Sequence, residues 1–347
     1  MAVKNRTVHR IVWFILVTAF VYAIWVLVTD ARKNMTVLGQ FPWQSLPVIL
    51  LAVTTNFLLR WVKWEWYRAA AGIPAPLSGS FLVYFSGFSM AISPGRVGEL
   101  IKPFMYKEYF GAKMRRTIPL VLAERISDLL GMLILTALTL AAYGAAVLAA
   151  RGQESESALS LPLLQGFLLF SMVLMAAGII LARSKKIMYR VLIQMSKLRG
   201  LHRASHKLRK LYHRTYPLLT IRNLLVTSFI AALSWFFECY AFLLILHGVG
   251  ATSIGLPEAT FMFCMATIIG GLLFFMPGGL GGFEGSMSGM LAMLRVANAT
   301  PAIVLIRFCT LFYSVFLGFA FIFLTGWIYR KRLAWDEFER TEASQTP

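Results

Sequence analysis

Apolar residues in this chain fall in long blocks rather than in the short stripes of a water-soluble fold. Residues 11–29, 46–64, 117–149, 162–182, 223–247 and 301–329 each approach or exceed the ~18–20 residues that cross a bilayer as a helix. Two further apolar stretches, 81–92 and 258–276, run into glycine- and proline-rich breaks, and a short apolar piece at 286–294 follows the second break. The pattern predicts an all-α polytopic membrane protein.

The two breaks resemble one another. The first reads Ser93-Pro94-Gly95-Arg96-Val97-Gly98-Glu99 and the second Pro277-Gly278-Gly279-Leu280-Gly281-Gly282-Phe283-Glu284. Each is followed 23 to 26 residues later by an arginine inside a hydrophobic span, Arg125 after Glu99 and Arg307 after Glu284. A motif used twice in one chain indicates an internal duplication.

Lysine and arginine then set the sidedness, because cytoplasmic loops hold their excess. With the amino terminus inside and each break closing a hairpin that returns to its own side, 28 of the 34 basic residues fall on the cytoplasmic side. That count places Arg60, Lys63 and Arg68 at the cytoplasmic edge of the second helix. If the first break were a full crossing, both Arg96–Arg116 and the basic stretch after residue 182 would lie outside. The hairpin reading is therefore preferred. It gives about six full crossings plus two opposed re-entrant or broken hairpins, arranged as an inverted-topology repeat. The expected halves are residues 1–150 and 151–347, the second containing a basic cytoplasmic segment at about 183–222, and both termini are cytoplasmic. In transporters of this plan the substrate binds near the midplane, where broken helices meet.

Composition agrees with the class, at 58% hydrophobic and 14% charged residues. The net charge of +19 raises nucleic acid as a partner, but the positive-inside bias accounts for it and no base-reading motif is present. Residues 184–216 contain no acidic residue and interleave cations with Ile187, Val191, Leu192, Met195, Leu198, Leu208 and Leu211. That suits one or two helices lying on the anionic lipids of the cytoplasmic leaflet. His202 and His206 have helical spacing but lack further ligands, so no metal is expected. Cys239, Cys264 and Cys309 are odd in number and lie in apolar runs, as packing residues. No nucleotide-phosphate loop, paired outer-loop carboxylates or nucleophile–base arrangement stands out, so neither a cofactor nor an enzymatic activity is expected.

The candidate chemistry lies in the breaks and in the intramembrane charges. Pro94, Gly95, Gly98, Pro277, Gly278, Gly279 and Gly281 would turn the chain and leave main-chain N–H groups free, and such groups at a helix start bind anions. The alternative is that both breaks are merely tight turns. Arg125 and Arg307 must point into protein or a polar cavity. Arginine's fork suits a phosphate, and Arg96 and Lys102 are further candidates for the same anion. Equally, each arginine could lock the fold by pairing with a carboxylate: Asp128 lies at i+3 from Arg125, and Glu99 and Glu284 are available across helices. Glu124 lies at i−4 from Asp128, so these like charges need a cation such as Arg96 or Lys102, or a shared proton that would couple transport to pH. Glu238, alone in its span, is a further proton-coupling candidate.

Together the Pro94–Glu99 run, the Glu124-Arg125-x-x-Asp128 step and the Pro277–Glu284 run resemble the lysylphosphatidylglycerol synthase transmembrane-region family, also called flippase-like membrane proteins. The resemblance covers nearly the whole chain. It implies a lipid translocase of the cytoplasmic (inner) membrane whose cargo is a polyprenyl-linked, hopanoid or aminoacylated lipid. The synthases' soluble aminoacyl-transfer domain has no counterpart here, so translocation without synthesis is expected. An intramembrane lipid-modifying enzyme, or a scaffold in a lipid- or envelope-synthesis complex, are the alternatives, and a homodimer or an envelope-synthesis partner stays open.

Overall fold

The computed structural model describes residues 31–93, 98–149, 166, 169–170, 173, 176–180, 183–197, 202–272, 279 and 281–329. The expected crossing at 11–29, most of that at 162–182, and Pro94, Gly95, Arg96, Pro277 and Gly278 lie outside these residues. Among the described residues every regular element is helical. In chain order they are α1 (Ala31–Gln40), α2 (Leu46–Ala70), α3 (Leu77–Ser86), α4 (Ile101–Phe110), α5 (Met114–Ala149), α6 (Lys185–Lys197), α7 (His202–Thr215), α8 (Ile221–Gly248), α9 (Leu256–Leu272), α10 (Gly282–Met293), α11 (Ala299–Arg307) and α12 (Tyr313–Tyr329). A π turn over Phe308–Phe312 joins α11 to α12. Among the described residues, three continuous stretches are long and apolar enough to cross a membrane: Trp43–Ala70, Ile221–Gly248 and Ala299–Tyr329.

Helix α2 begins with Pro47 in its first turn, where a missing N–H does no harm. It ends where Gly72 takes a φ of 60° and Ile73 N–H reaches back to the Arg68 carbonyl, satisfying an orphaned acceptor. Helix α3 continues only through a 3-10 turn at Gly87–Met90 and stops far short of a crossing. At 36 residues, α5 is roughly 54 Å long, at ~1.5 Å per residue.

Apolar surface in this molecule points outward. Val48, Leu51 and Val62 on α2, Leu225 and Phe229 on α8, and Phe316, Phe323 and Trp327 on α12 are all exposed. Helix contacts combine a buried apolar core (Ile49, Phe57, Trp64, Phe242 and Ile306 among others) with small and polar residues. The buried face of α8 carries Thr227, Ser228, Ala231, Ala232 and Ser234, the composition that lets helices approach closely in lipid. Helix α2 packs along α8, which also contacts α5 and α9. Helix α3 packs on α12, and α9 packs on α5. The basic segment forms the amphipathic pair α6 and α7, with Leu192 and Tyr212 buried and Ile187, Val191 and Leu208 exposed. Cys239, Cys264 and Cys309 are buried and unbridged, in keeping with packing roles.

The α3–α12 contact depends on the absence of a side chain at Gly318, because an added Cβ would strike Ser89 N and Phe88 C in the turn after α3. Gly289, inside α10, has nothing within 4 Å of such a Cβ. Gly318→Ala should therefore destabilise the detergent-solubilised protein by about 1–3 kcal/mol. Gly289→Ala should be neutral or gain about 0.5–1 kcal/mol of helix propensity. Thermal unfolding of the two variants side by side checks this, and equal midpoints would refute the close approach.

Candidate functional site

One face of α2 carries a polar stripe through an otherwise apolar helix: Asn56, Arg60, Lys63 and Tyr67, all buried. Steps of four, three and four residues align them on a single helix face. The ends of the stripe are fastened to α8. Asn56 Nδ2 donates to the Ser234 carbonyl at 2.8 Å, and the Tyr67 and Thr227 hydroxyls share a 2.8 Å hydrogen bond.

The middle of the stripe meets the two carboxylates of α5. Lys63 Nζ binds Asp128 Oδ1, which also accepts from Trp235 Nε1 at 3.3 Å. Glu124 accepts from Lys102 Nζ at 2.7 Å and from the Tyr84 hydroxyl at 2.8 Å. Arg60 Nη2 lies 3.7 Å from Glu124 and 3.6 Å from Asp128. Arg125 comes within 3.3 Å of Glu99, 3.3 Å of Glu124 and 3.2 Å of Asp128. Carboxylates taken out of water at this depth need such compensation, since an isolated buried charge would neutralise itself. Here four cations (Arg60, Lys63, Lys102, Arg125) surround three anions (Glu99, Glu124, Asp128).

A second, smaller pair forms where α10 meets α11. Arg307 Nε donates to Glu284 Oε1 at 2.8 Å, and its guanidinium sits 3.9 Å over the Phe283 ring. Both clusters border one cavity of about 480 Å³, whose wall includes Arg60, Lys102, Arg125, Trp235, Glu238 and Arg307. Nε and Nη2 of Arg125 and Nη2 of Arg307 are buried without a hydrogen-bond acceptor among the described residues.

The structure thus brings Lys102, Arg125 and Arg307 to one cavity, with Glu99 and Glu238 also on its wall. Each motif glutamate meets the arginine that follows it, Glu99 with Arg125 and Glu284 with Arg307. The like charges Glu124 and Asp128 are compensated by cations, one of them the expected Lys102.

Two expectations change. Arg60 and Lys63, read from sequence only as basic residues at the end of the second helix, are buried in the protein, at 7% and 0% exposure. The helix continues to Ala70, and its pitch turns both residues toward Asp128. Their alignment with Asn56 and Tyr67 was the available signal. The second change concerns the breaks, where two of the described N–H groups are taken by side chains. Gly98 N–H donates to Ser93 Oγ at 2.8 Å, and Gly281 N–H donates to Glu284 Oε2 at 2.7 Å. In the second break the N3 glutamate of α10 thus reaches back to the backbone before its own helix. The glycines still serve the geometry. Gly279 and Gly281 take φ of 72° and 81°, and a Cβ at Gly98 would collide with Met90.

The family profile described as "Lysylphosphatidylglycerol synthase TM region" matches residues 11–318, and the chain belongs to that family. This membership, with the apolar helices, makes it a multi-pass membrane protein and points to a membrane lipid-related role. No curated protein matches the sequence.

The Lys63–Asp128 pair offers a direct check of the buried network. Asp128→Asn leaves Lys63 wholly buried without its carboxylate and should cost about 3–5 kcal/mol. Lys63→Met in the same chain should restore part of that loss. A double-mutant cycle of thermal unfolding reads the coupling, expected at about 0.5–3 kcal/mol. Additive effects would show that the two side chains do not depend on each other.

Proposed function

We propose that this protein translocates a lipid with an anionic, phosphate-containing headgroup across the cytoplasmic membrane, without changing the lipid chemically. The headgroup would pass through the cavity between α2, α5, α8 and α11 while the acyl or prenyl tails stay in lipid. The observation that carries this reading is the placement of Arg125 and Arg307, each the arginine that follows a glycine-rich break and pairs with its glutamate, on one cavity. Guanidinium forks match the oxygens of a phosphate, and a low-dielectric setting strengthens that bond.

We read the architecture as an inverted repeat of residues 1–150 and 151–347, with about six full crossings and two broken hairpins. Several packing relations support this. Helix α3, before the first break, packs on α12, and α9, before the second, packs on α5. Each half's broken segment therefore rests on the last helix of the other half. The Glu99–Arg125 and Glu284–Arg307 pairs repeat the same relation at the level of side chains. In this reading both termini are cytoplasmic, and the basic pair α6 and α7 lies against anionic lipids of that leaflet. Glu99 and Glu284 would release their arginines when a phosphate arrives, exchanging an internal ion pair for one with substrate. Glu124, Asp128 and Glu238 would hold the remaining cations or carry a coupling proton.

Flipping in sealed proteoliposomes tests the assignment, with a short-chain polyprenyl phosphate, phosphatidylglycerol and an aminoacylated phospholipid as cargo. The native chain should accelerate at least one of them, and a folded Arg125→Ala/Arg307→Ala variant should fall to the protein-free rate. Lipid masses should stay unchanged, whereas a new lipid mass would favour an intramembrane enzyme. Equal flipping by the double variant would make both arginines structural.

A further inference from the structure

Arg60 stands apart from the other cations of the cluster. It is 7% exposed, it borders the cavity, and its Nε is buried without an acceptor. Its nearest carboxylate oxygens lie at 3.6 and 3.7 Å, outside hydrogen-bond range. Lys63 and Lys102, by contrast, each donate directly to a carboxylate.

Aromatic rings also flank Arg60, beside its ion pairs with Glu124 and Asp128. Its guanidinium lies 5.4 Å from the Trp235 ring and 5.8 Å from the Phe88 ring, both on the cavity wall. Trp235 is in turn fixed through its Nε1 hydrogen bond to Asp128. Aromatic faces attract a guanidinium without occupying its N–H groups. The result is a positioned fork with donors still to be matched, and buried donors left unmatched are costly.

The surroundings explain why directed bonds, rather than net charge, would do the recognising. Glu124 and Asp128 lie 3.7 and 3.6 Å from Arg60 Nη2, so its charge is already opposed by two carboxylates. Asp128 Oδ1 is already held by Lys63 and Trp235, and Glu124 by Lys102 and Tyr84. Arg60 is thus kept charged by its neighbours but not satisfied by them.

We propose that Arg60 is a headgroup-binding residue whose fork, set between Phe88 and Trp235, takes two oxygens of a phosphate entering the cavity. This rests on the reading of an anionic headgroup and adds a third guanidinium to Arg125 and Arg307. Arg60 differs from those two in its support. It belongs to α2, which is fastened along α8, whereas Arg125 and Arg307 pair with glutamates beside the breaks. Arg60 is therefore the fixed anchor, and the other two are the exchangeable ones.

The alternative is that Arg60 only balances Glu124 and Asp128. Arg60→Lys separates the two, because it keeps the charge but loses the planar fork. The full chain in nanodiscs would be titrated calorimetrically with dihexanoyl phosphatidic acid, with uncharged dihexanoylglycerol and with inorganic phosphate. Flipping and thermal unfolding would be measured on the same preparations. The native protein should bind the lipid phosphate, and Arg60→Lys should weaken it by about tenfold or more while the unfolding midpoint holds. Arg60→Gln should weaken it further, and affinity for dihexanoylglycerol should not change. The same Arg60 dependence with inorganic phosphate would support the site and make a free anion its ligand. Unchanged affinity in folded Arg60→Lys would overturn the assignment, and continued flipping there would leave translocation standing. If neither phosphate bound the native protein, the Arg60 site and the anionic-headgroup reading would both fall.

Discussion

The constraint on which this structure turns is the electrostatics of Glu124 and Asp128, two carboxylates one helical turn apart on α5 and almost wholly buried. Neither can be charged there without cations brought from elsewhere in the chain. Those cations come from α2, in Arg60 and Lys63, and from α4, in Lys102. The demand for compensation therefore fixes the relative position of three separate segments. In a bilayer, hydrophobic burial cannot do this, since lipid is as apolar as leucine, and helix association falls to close packing and polar contacts. The Asn56–Ser234 and Tyr67–Thr227 bonds extend the same logic to α8.

The two clusters on the cavity are unequal. One joins seven ionisable groups, whereas the other is the Glu284–Arg307 pair backed by Phe283. The second break also has Gly279 where the first has Arg96. A shared cavity with a densely charged wall and a sparse one has a built-in polarity. An anion crossing it would meet an ion pair to exchange with on both walls, but a charge network on only one.

Much of this was legible in the sequence, because single-residue chemistry in an apolar run is hard to hide. The repeat of Pro-Gly, glutamate and a later arginine led to Glu99–Arg125 and Glu284–Arg307, and both pairs form. Charge alone called for a cation such as Arg96 or Lys102, or a proton, beside Glu124 and Asp128, and Lys102 is found on Glu124. What could not be read was orientation near the end of an apolar block. Arg60 and Lys63 sit where a helix either leaves the membrane or turns its polar face inward, and both cases give the same local composition. Only the place where α2 stops, at Ala70 rather than near Trp64, decides between them. The capping of Gly98 by Ser93 was hidden for a different reason, since a serine beside proline and glycine reads equally as turn or cap.

The distinction between fixed and exchangeable guanidinium groups follows from which elements carry the partners. Glu99 precedes α4, and Glu284 lies in the first turn of α10, so both stand next to glycine-rich backbone. A salt bridge from such a segment to α5 or α11 ties the segment down, and anything that competes for the arginine loosens it. Coupling of this kind needs differential contact in two states, not distance. The two glutamates supply it, since an arginine fork holding a phosphate has fewer donors left for a carboxylate. Arg60 has no tie to a break, because its ion pairs run to Glu124 and Asp128 within the continuous helix α5. A phosphate bound there would leave the α2–α8 scaffold unchanged, while one bound at Arg125 or Arg307 would free a break. Under the proposed translocation, binding and movement would fall to different arginines of the same cavity, on helices whose stability comes from different contacts.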